Sequence, residues 1–131
     1  MSNWLRIILV VVVGAHGIGH ILFLMPLISS TNWGQSAQSW LLGDGGLVKG
    51  LGALIWLAAL FGFLAAAFGI FREMAWWSAA AFVSAAVSTV GLILFWSKPV
   101  TSPAISALVF NLIILVSLLV FHWPAAAQAS G

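Results

Sequence analysis

Four long apolar runs, separated by short polar connections, constrain this chain more than any other feature of its sequence. They cover about Trp4–Ile28, Leu47–Phe71, Ala75–Trp96 and Pro103–Trp123. Each is close to the ~20 residues with which an α-helix crosses ~30 Å of hydrocarbon at a rise of ~1.5 Å per residue. Backbone facing lipid finds no water, so it must satisfy its own N–H and C=O groups, which a helix does and an open sheet does not. None of the runs alternates polar and apolar residues strictly, and this argues against a β-barrel. The expected fold class is all-α, an integral membrane four-helix bundle, with residues 1–131 forming one transmembrane domain.

Charge points the same way. Two acidic and four basic residues stand against 63% hydrophobic ones, whereas soluble domains carry roughly a quarter of their residues as charges. So few charged side chains cannot cover a water-facing surface, and lipid is the expected contact. The bases Arg6, Lys49, Arg72 and Lys98 are scattered singly, so there is no basic track for a nucleic acid. The lack of cysteine excludes disulfides, thiolate metal sites and iron–sulfur clusters. Arg6 and the run up to Ala15 and Gly17 have the outline of a secretory signal peptide. The apolar stretch nevertheless continues through Ile18–Leu24, so it is read as a retained first helix.

The connections complete the outline. Residues 29–46 form the one sizeable loop, rich in Ser, Asn, Gln and Gly, and its Gln35–Leu42 part is expected as a short helix lying in the interface. Gly43-Asp44-Gly45-Gly46 reads as a turn, too isolated a glycine cluster for a phosphate loop. Arg72-Glu73 makes a second, tight turn, and Pro26, Pro103 and Pro124 sit near helix ends. Trp4, Trp76, Trp77 and Trp123 fall at one membrane face and Trp33, Trp40 and Trp96 at the other, where an indole is at home. Lys49 and Lys98 are expected to snorkel to the headgroups. The basic residues divide evenly between the faces. The amino terminus and the shorter loops favour an inner, cytoplasmic membrane with both termini in the cytoplasm. No internal repeat supports an inverted-repeat transporter.

Polar residues inside the spans are the informative ones, because lipid penalises them unless they face the bundle. His16 lies near the centre of the first run, and His20 about 6 Å further toward the long loop. Asn111 in the fourth run falls about 3 Å from centre, and Ser88 and Thr89 in the third about 4–5 Å, all toward that same side. Trp56 in the second run stands at nearly the same height. His16, His20, Trp56, Ser88 and Asn111 are therefore expected to form one polar layer. Small residues mark the faces to be packed inward: Ala15, Gly17 and Gly19 beside the histidines, then Ala58, Gly62 and Ala66, then Ala80, Ser84 and Ser88.

Two readings of the histidine pair compete. Neutral imidazoles that hydrogen-bond Asn111, Ser88 or the Trp56 N–H would only fix the register of the helices. Alternatively, an i, i+4 pair can hold a cofactor or metal, with His16 and His20 as the candidate ligands. A closed zinc site lacks its third ligand, since Asp44 and Glu73 belong to loops and His122 lies near the far end of the fourth run. Two imidazoles on one helix face cannot sandwich a haem iron, so single axial ligation of a haem or chlorin, or a haem shared across a dimer, stays open. His122 itself reads as an interfacial side chain favoured by the helix dipole. No carboxylate accompanies the layer, so neither a nucleophile–base–acid set nor a proton relay is legible.

The order His16-Gly17-x-x-His20, Gly52-x-x-x-Trp56-Leu57, Trp76-Trp77, Ser88 through Leu94-Phe95-Trp96, and Asn111 resembles a group of small uncharacterised bacterial four-helix membrane proteins, some labelled DoxX-like or permease-like. The resemblance spans nearly the whole chain and implies the fold without implying an activity. A permease label fits poorly, because four helices of this size rarely enclose a path alone. The expected function is that of a non-enzymatic membrane protein, an accessory subunit of a larger membrane complex or a homo-oligomer. Two alternatives stand beside it: a His-ligated haem, chlorin or metal-binding protein, and a small-molecule or lipid transporter or enzyme with its site in the polar layer.

Overall fold

A computed structural model describes residues 1–29, 35–96 and 99–122. The roles expected of Trp33, Trp123, Lys98 and Pro124 fall outside the described residues. Among these residues five helices follow in order: α1 (Asn3–Gly19), α2 (Ile21–Ile28), α3 (Gly46–Phe71), α4 (Trp77–Leu94) and α5 (Ser102–Leu119). They make four apolar spans, because α1 and α2 together form the first, Asn3–Ile28. The chain is an all-α, multi-pass membrane protein. The spans of 26 and 18 residues are about 39 and 27 Å long at the helical rise, which brackets the ~30 Å of hydrocarbon, and both lie at or above the ~17 residues that suffice to cross it.

The first span is broken where the sequence suggests a continuous helix. At His20 the backbone N–H bonds the Gly17 carbonyl at 3.1 Å, a tighter 3₁₀-type turn. The His16 carbonyl, which an unbroken helix would give to that N–H, accepts a bond from the His20 ring instead, at 3.0 Å. A side chain has displaced its own backbone. Pro26 lies within α2, two residues from its end, and removes a second rung from the same span.

Helix α3 is the hub, flanked by α1 and α2 on one side and α4 on the other, while α5 lies against α4. Close approach is set by small residues. A Cβ on Gly62 would lie 2.0 Å from Ser84 Oγ, and one on Gly17 2.9 Å from the Phe63 Cβ. Ala66, Ser84 and Ser88 are buried as expected. Three other members of those stripes are not packed inward. Ala15 and Ala58 are exposed, and a Cβ on Gly19 would meet nothing within 4 Å. The buried face of α1 runs through Val13, Gly17 and His20, a 3.6-residue period that sets Ala15 and Gly19 off to the side.

Two apolar clusters fill the interior. Val13, Phe63, Ala66, Ala67, Ile70, Ala81 and Ala85 form one, toward the amino-terminal face. Phe23, Trp56, Leu92, Phe95, Ala104 and Ala107 form the other, toward the long loop. With lipid as apolar as the core, these contacts hold the bundle by dispersion and fit rather than by escape from water.

The segment expected as an interfacial helix is a turn. Ser39 and Gly43 exchange backbone hydrogen bonds at 2.8 and 2.9 Å, and Gly43 adopts φ +88°, which glycine does without strain. The reason lies in α4, whose last carbonyls need donors. Ser39 Oγ–H donates to the Leu94 carbonyl at 2.7 Å, and the Trp40 indole N–H to the Ile93 carbonyl at 2.6 Å. Thr101 Oγ–H donates to Gln35 Oε1 at 2.9 Å, tying the same segment to the start of α5. On the opposite face, α3 ends at Arg72 with Glu73 at φ 56°. Glu73 N–H bonds Ile70 O, and Met74 N–H bonds Gly69 O. This is a Schellman ending in which glutamate occupies the position that glycine usually takes. Glu73 also pairs with Arg6 of α1.

Candidate functional site

Between the two apolar clusters lies the polar layer. Its hydrogen bonds form a circuit through three spans. His16 Nε2 meets Asn111 Oδ1 at 2.9 Å, Asn111 Nδ2 meets Ser88 Oγ at 2.8 Å, and Ser88 Oγ meets His20 Nε2 at 2.7 Å. The His20 Nδ1 contact to the His16 carbonyl, 3.0 Å, returns the chain to its origin. His20, Ser88 and Asn111 are at most 1% exposed, so the two bonds to Ser88 are made away from both water and lipid.

One fixed point orders the protons. His20 Nδ1 faces a carbonyl, which can only accept, so Nδ1 carries the hydrogen. Both acidic residues lie elsewhere, and an unpaired imidazolium in hydrocarbon is costly, so each ring holds a single proton. His20 Nε2 is then an acceptor, and Ser88 Oγ–H donates to it. The remaining Ser88 lone pair takes Asn111 Nδ2–H, which turns Asn111 Oδ1 toward His16 Nε2–H. The network thus assigns both tautomers and the amide orientation. His16 is left with a proton on Nε2 and a lone pair on Nδ1.

Aromatic rings hold the imidazoles in place. Phe110 stacks on His16, with ring centroids 4.2 Å apart, and Phe63 stacks on His20 at 5.4 Å. The two imidazoles stand edge to face, 4.9 Å apart at 86°. Trp56 stacks on Phe23 at 4.9 Å, but its indole N–H, expected to bond within the layer, has no partner among the described residues. Trp56 therefore belongs to the layer by depth and ring contact only. Thr89 is outside it, because its hydroxyl donates to the Ala85 carbonyl of its own helix at 2.7 Å. Neither Phe63 nor Phe110 stands out in the sequence as a member of the layer. Phe63 follows Trp56 by seven residues, on the same face of α3, and that spacing was its one available signal.

Beside the layer runs a lateral groove of about 450 Å³ between α1/α2 and α5. Val12, Ala15, Gly19, Phe23, Ala107 and Phe110 are among its apolar walls, and His16, His20 and Ser106 contribute to the lining. His16 Nδ1 makes no hydrogen bond among the described residues. Among the described residues the enclosed side-chain atoms without a partner are Gln35 Nε2 and Trp56 Nε1, so Nδ1 is not sealed in the core. His16 itself is half-buried and lines the groove.

The ligand readings narrow accordingly. Among the described residues no three His, Asp or Glu side chains gather as a metal site. Both His20 nitrogens are engaged, so of the pair only His16, through Nδ1, keeps a nitrogen for an axial bond. Asp44 lies in the long loop, Glu73 in the α3–α4 turn, and His122 beyond the end of α5, exposed and with φ 48°. None reaches the layer. Compared with known families, curated proteins and solved structures, the chain finds no match.

Proposed function

We propose that this protein is a non-enzymatic, membrane-embedded binding protein that takes an apolar molecule from the lipid phase into the groove between α1/α2 and α5. The observation that carries this reading is the groove itself, apolar along its walls and bordered by the one imidazole nitrogen that the internal circuit leaves open. Its size lies within the ~300–1,000 Å³ usual for small-molecule sites, which combine apolar walls with a few polar groups. A polar side chain held at mid-membrane depth is also, by default, a functional one. No carboxylate stands near to serve as acid or base, which favours binding over chemistry.

Photolabelling tests the reading. Protein in lipid nanodiscs is irradiated with a diazirine-bearing fatty alcohol, and labelled residues are mapped by mass spectrometry. Label should concentrate on groove residues such as Val12 and Phe110 and fall severalfold in Gly19→Leu. That variant adds a side chain at the groove wall, where a Cβ meets nothing within 4 Å. Label spread evenly over the lipid-facing surface, unchanged by Gly19→Leu, would overturn the proposal.

The exposure of α5 favours a second reading, that of an accessory subunit or a homo-oligomer. Only 17% of its apolar window is buried, against 39% for α3. Native mass spectrometry in mild detergent decides it, and a lone monomer counts against it. For topology we infer a bacterial inner membrane with both termini in the cytoplasm, from Arg6 near the amino terminus and Arg72 in the tight turn after α3. The chain has no cysteine, so single cysteines placed at Asp44 and at Glu73 report their sides. Labelling of Asp44→Cys from the periplasm is expected, and labelling of Glu73→Cys from there would reverse the orientation.

A further inference from the structure

We infer that the groove selects a molecule bringing a hydrogen-bond donor, a hydroxyl on an apolar body, to Nδ1 of His16; this rests on the groove being a binding site. The circuit decides the polarity of the recognition. In solution a neutral imidazole exchanges its proton between the two nitrogens, and could greet a hydroxyl or a carbonyl equally. Here His16 has no such choice. For Nδ1 to become a donor, Nε2 would have to accept, and Asn111 would have to present its NH₂ to His16. The Asn111 carbonyl oxygen would then face Ser88 Oγ, 2.8 Å away. Ser88 has one proton, already claimed by His20 Nε2 at 2.7 Å, and His20 cannot reverse because its Nδ1 faces the His16 carbonyl. Two oxygens would be left in contact with no proton between them, inside hydrocarbon, where nothing replaces the lost bond.

The groove therefore presents a fixed acceptor. A hydroxyl satisfies it, while a ketone or a methyl ether sets a lone pair against a lone pair. Phe110, stacked on the same imidazole, holds the ring in plane and contributes an apolar wall for the body of the ligand. Ser106, which brings a hydroxyl to the lining, lies about 7 Å from the Asn111 level along α5. Its O–H both donates and accepts, so it does not discriminate.

The experiment has a ligand-free arm and a ligand arm. ¹⁵N spectra of histidine-labelled protein in nanodiscs should show His16 protonated at Nε2 and His20 at Nδ1; a His16 protonated at Nδ1 overturns the inference without reference to any ligand. In the ligand arm, three diazirine probes of one carbon skeleton (a secondary alcohol, its ketone and its methyl ether) compete for the groove. The alcohol should label Val12 and Phe110 about five- to tenfold better than the others, the ratio that one net hydrogen bond supports. In Ser88→Ala, Asn111 is free to turn and His16 to change tautomer, so the ratio should fall toward one while labelling persists. Ser106→Ala should leave the ratio unchanged. Equal labelling by all three probes overturns the donor preference and leaves the binding site standing, whereas labelling by none of them above the general lipid-facing level removes the site as well. Should Ser88→Ala fail to fold, the tautomers of the unaltered protein still decide.

Discussion

Asn111 stands in the middle of the circuit, so its loss is felt on both sides. Asn111→Leu keeps roughly the volume but strands the His16 Nε2–H and a Ser88 lone pair. It should cost about 1–3 kcal/mol, the usual penalty for buried polar groups left unmet, read as unfolding free energy in detergent. Trp56→Phe makes the opposite case at the same depth. Its indole N–H bonds nothing among the described residues, so only ring area is lost, and the cost should stay below that of Asn111→Leu. A larger cost for Trp56→Phe would mean that the indole has a polar role. These residues also show what can be read from a sequence. His16, His20, Ser88 and Asn111 were legible because lipid penalises each of them and depth follows from counting. Whether Trp56 points its nitrogen at the others depends on azimuth, which a depth count does not contain. Phe63 and Phe110 carry no polarity signal at all, since an aromatic ring in a membrane span is as much at home facing lipid as facing a histidine.

The element boundaries at both ends of the spans depend on who satisfies the last carbonyls. The Gln35–Leu42 segment reads as an interfacial helix on the strength of Trp40-Leu41-Leu42, yet Ser39 and Trp40 donate to the end of α4. A sequence shows the donors but not the helix end that needs them. Replacing both residues, Ser39→Ala with Trp40→Phe, should leave the Ile93 and Leu94 carbonyls open. Amide exchange at Phe95 and Trp96 should then quicken, while that of mid-helix residues stays unchanged. At the other face, Glu73 holds a left-handed conformation that costs a non-glycine residue about 1 kcal/mol, against an exposed ion pair worth at most about as much. Glu73→Gly should therefore be more stable than Glu73→Ala by about 1 kcal/mol, because both lose the ion pair and only alanine keeps the strain. The break in the first span was hidden for a related reason. It arises from His20 competing for the His16 carbonyl, and of its causes only Pro26 is visible in the sequence.

At the scale of the whole molecule, the helices pack in the order α1/α2, α3, α4, α5, and the groove lies where the first and last of these meet. Two glycine substitutions separate the packed core from that groove. Gly62→Leu would drive a side chain into Ser84 and should abolish a monodisperse, helical preparation. Gly19→Leu should fold with near-native melting while closing the groove, and unfolding of Gly19→Leu would show that the groove is part of the core. The four spans were legible from length and hydropathy alone, but the open side was not, since it follows from which of several small residues each helix turns inward. The ties between helices stand at three heights: Arg6 with Glu73 at one face, the circuit at mid-depth, and the 35–43 segment at the other face. Among the described residues only the middle one, His16 to Asn111, bridges the groove by hydrogen bonding. On the reading proposed above, a guest enters this groove sideways from the bilayer, and the His16–Asn111 bond at mid-depth stays closed beside it.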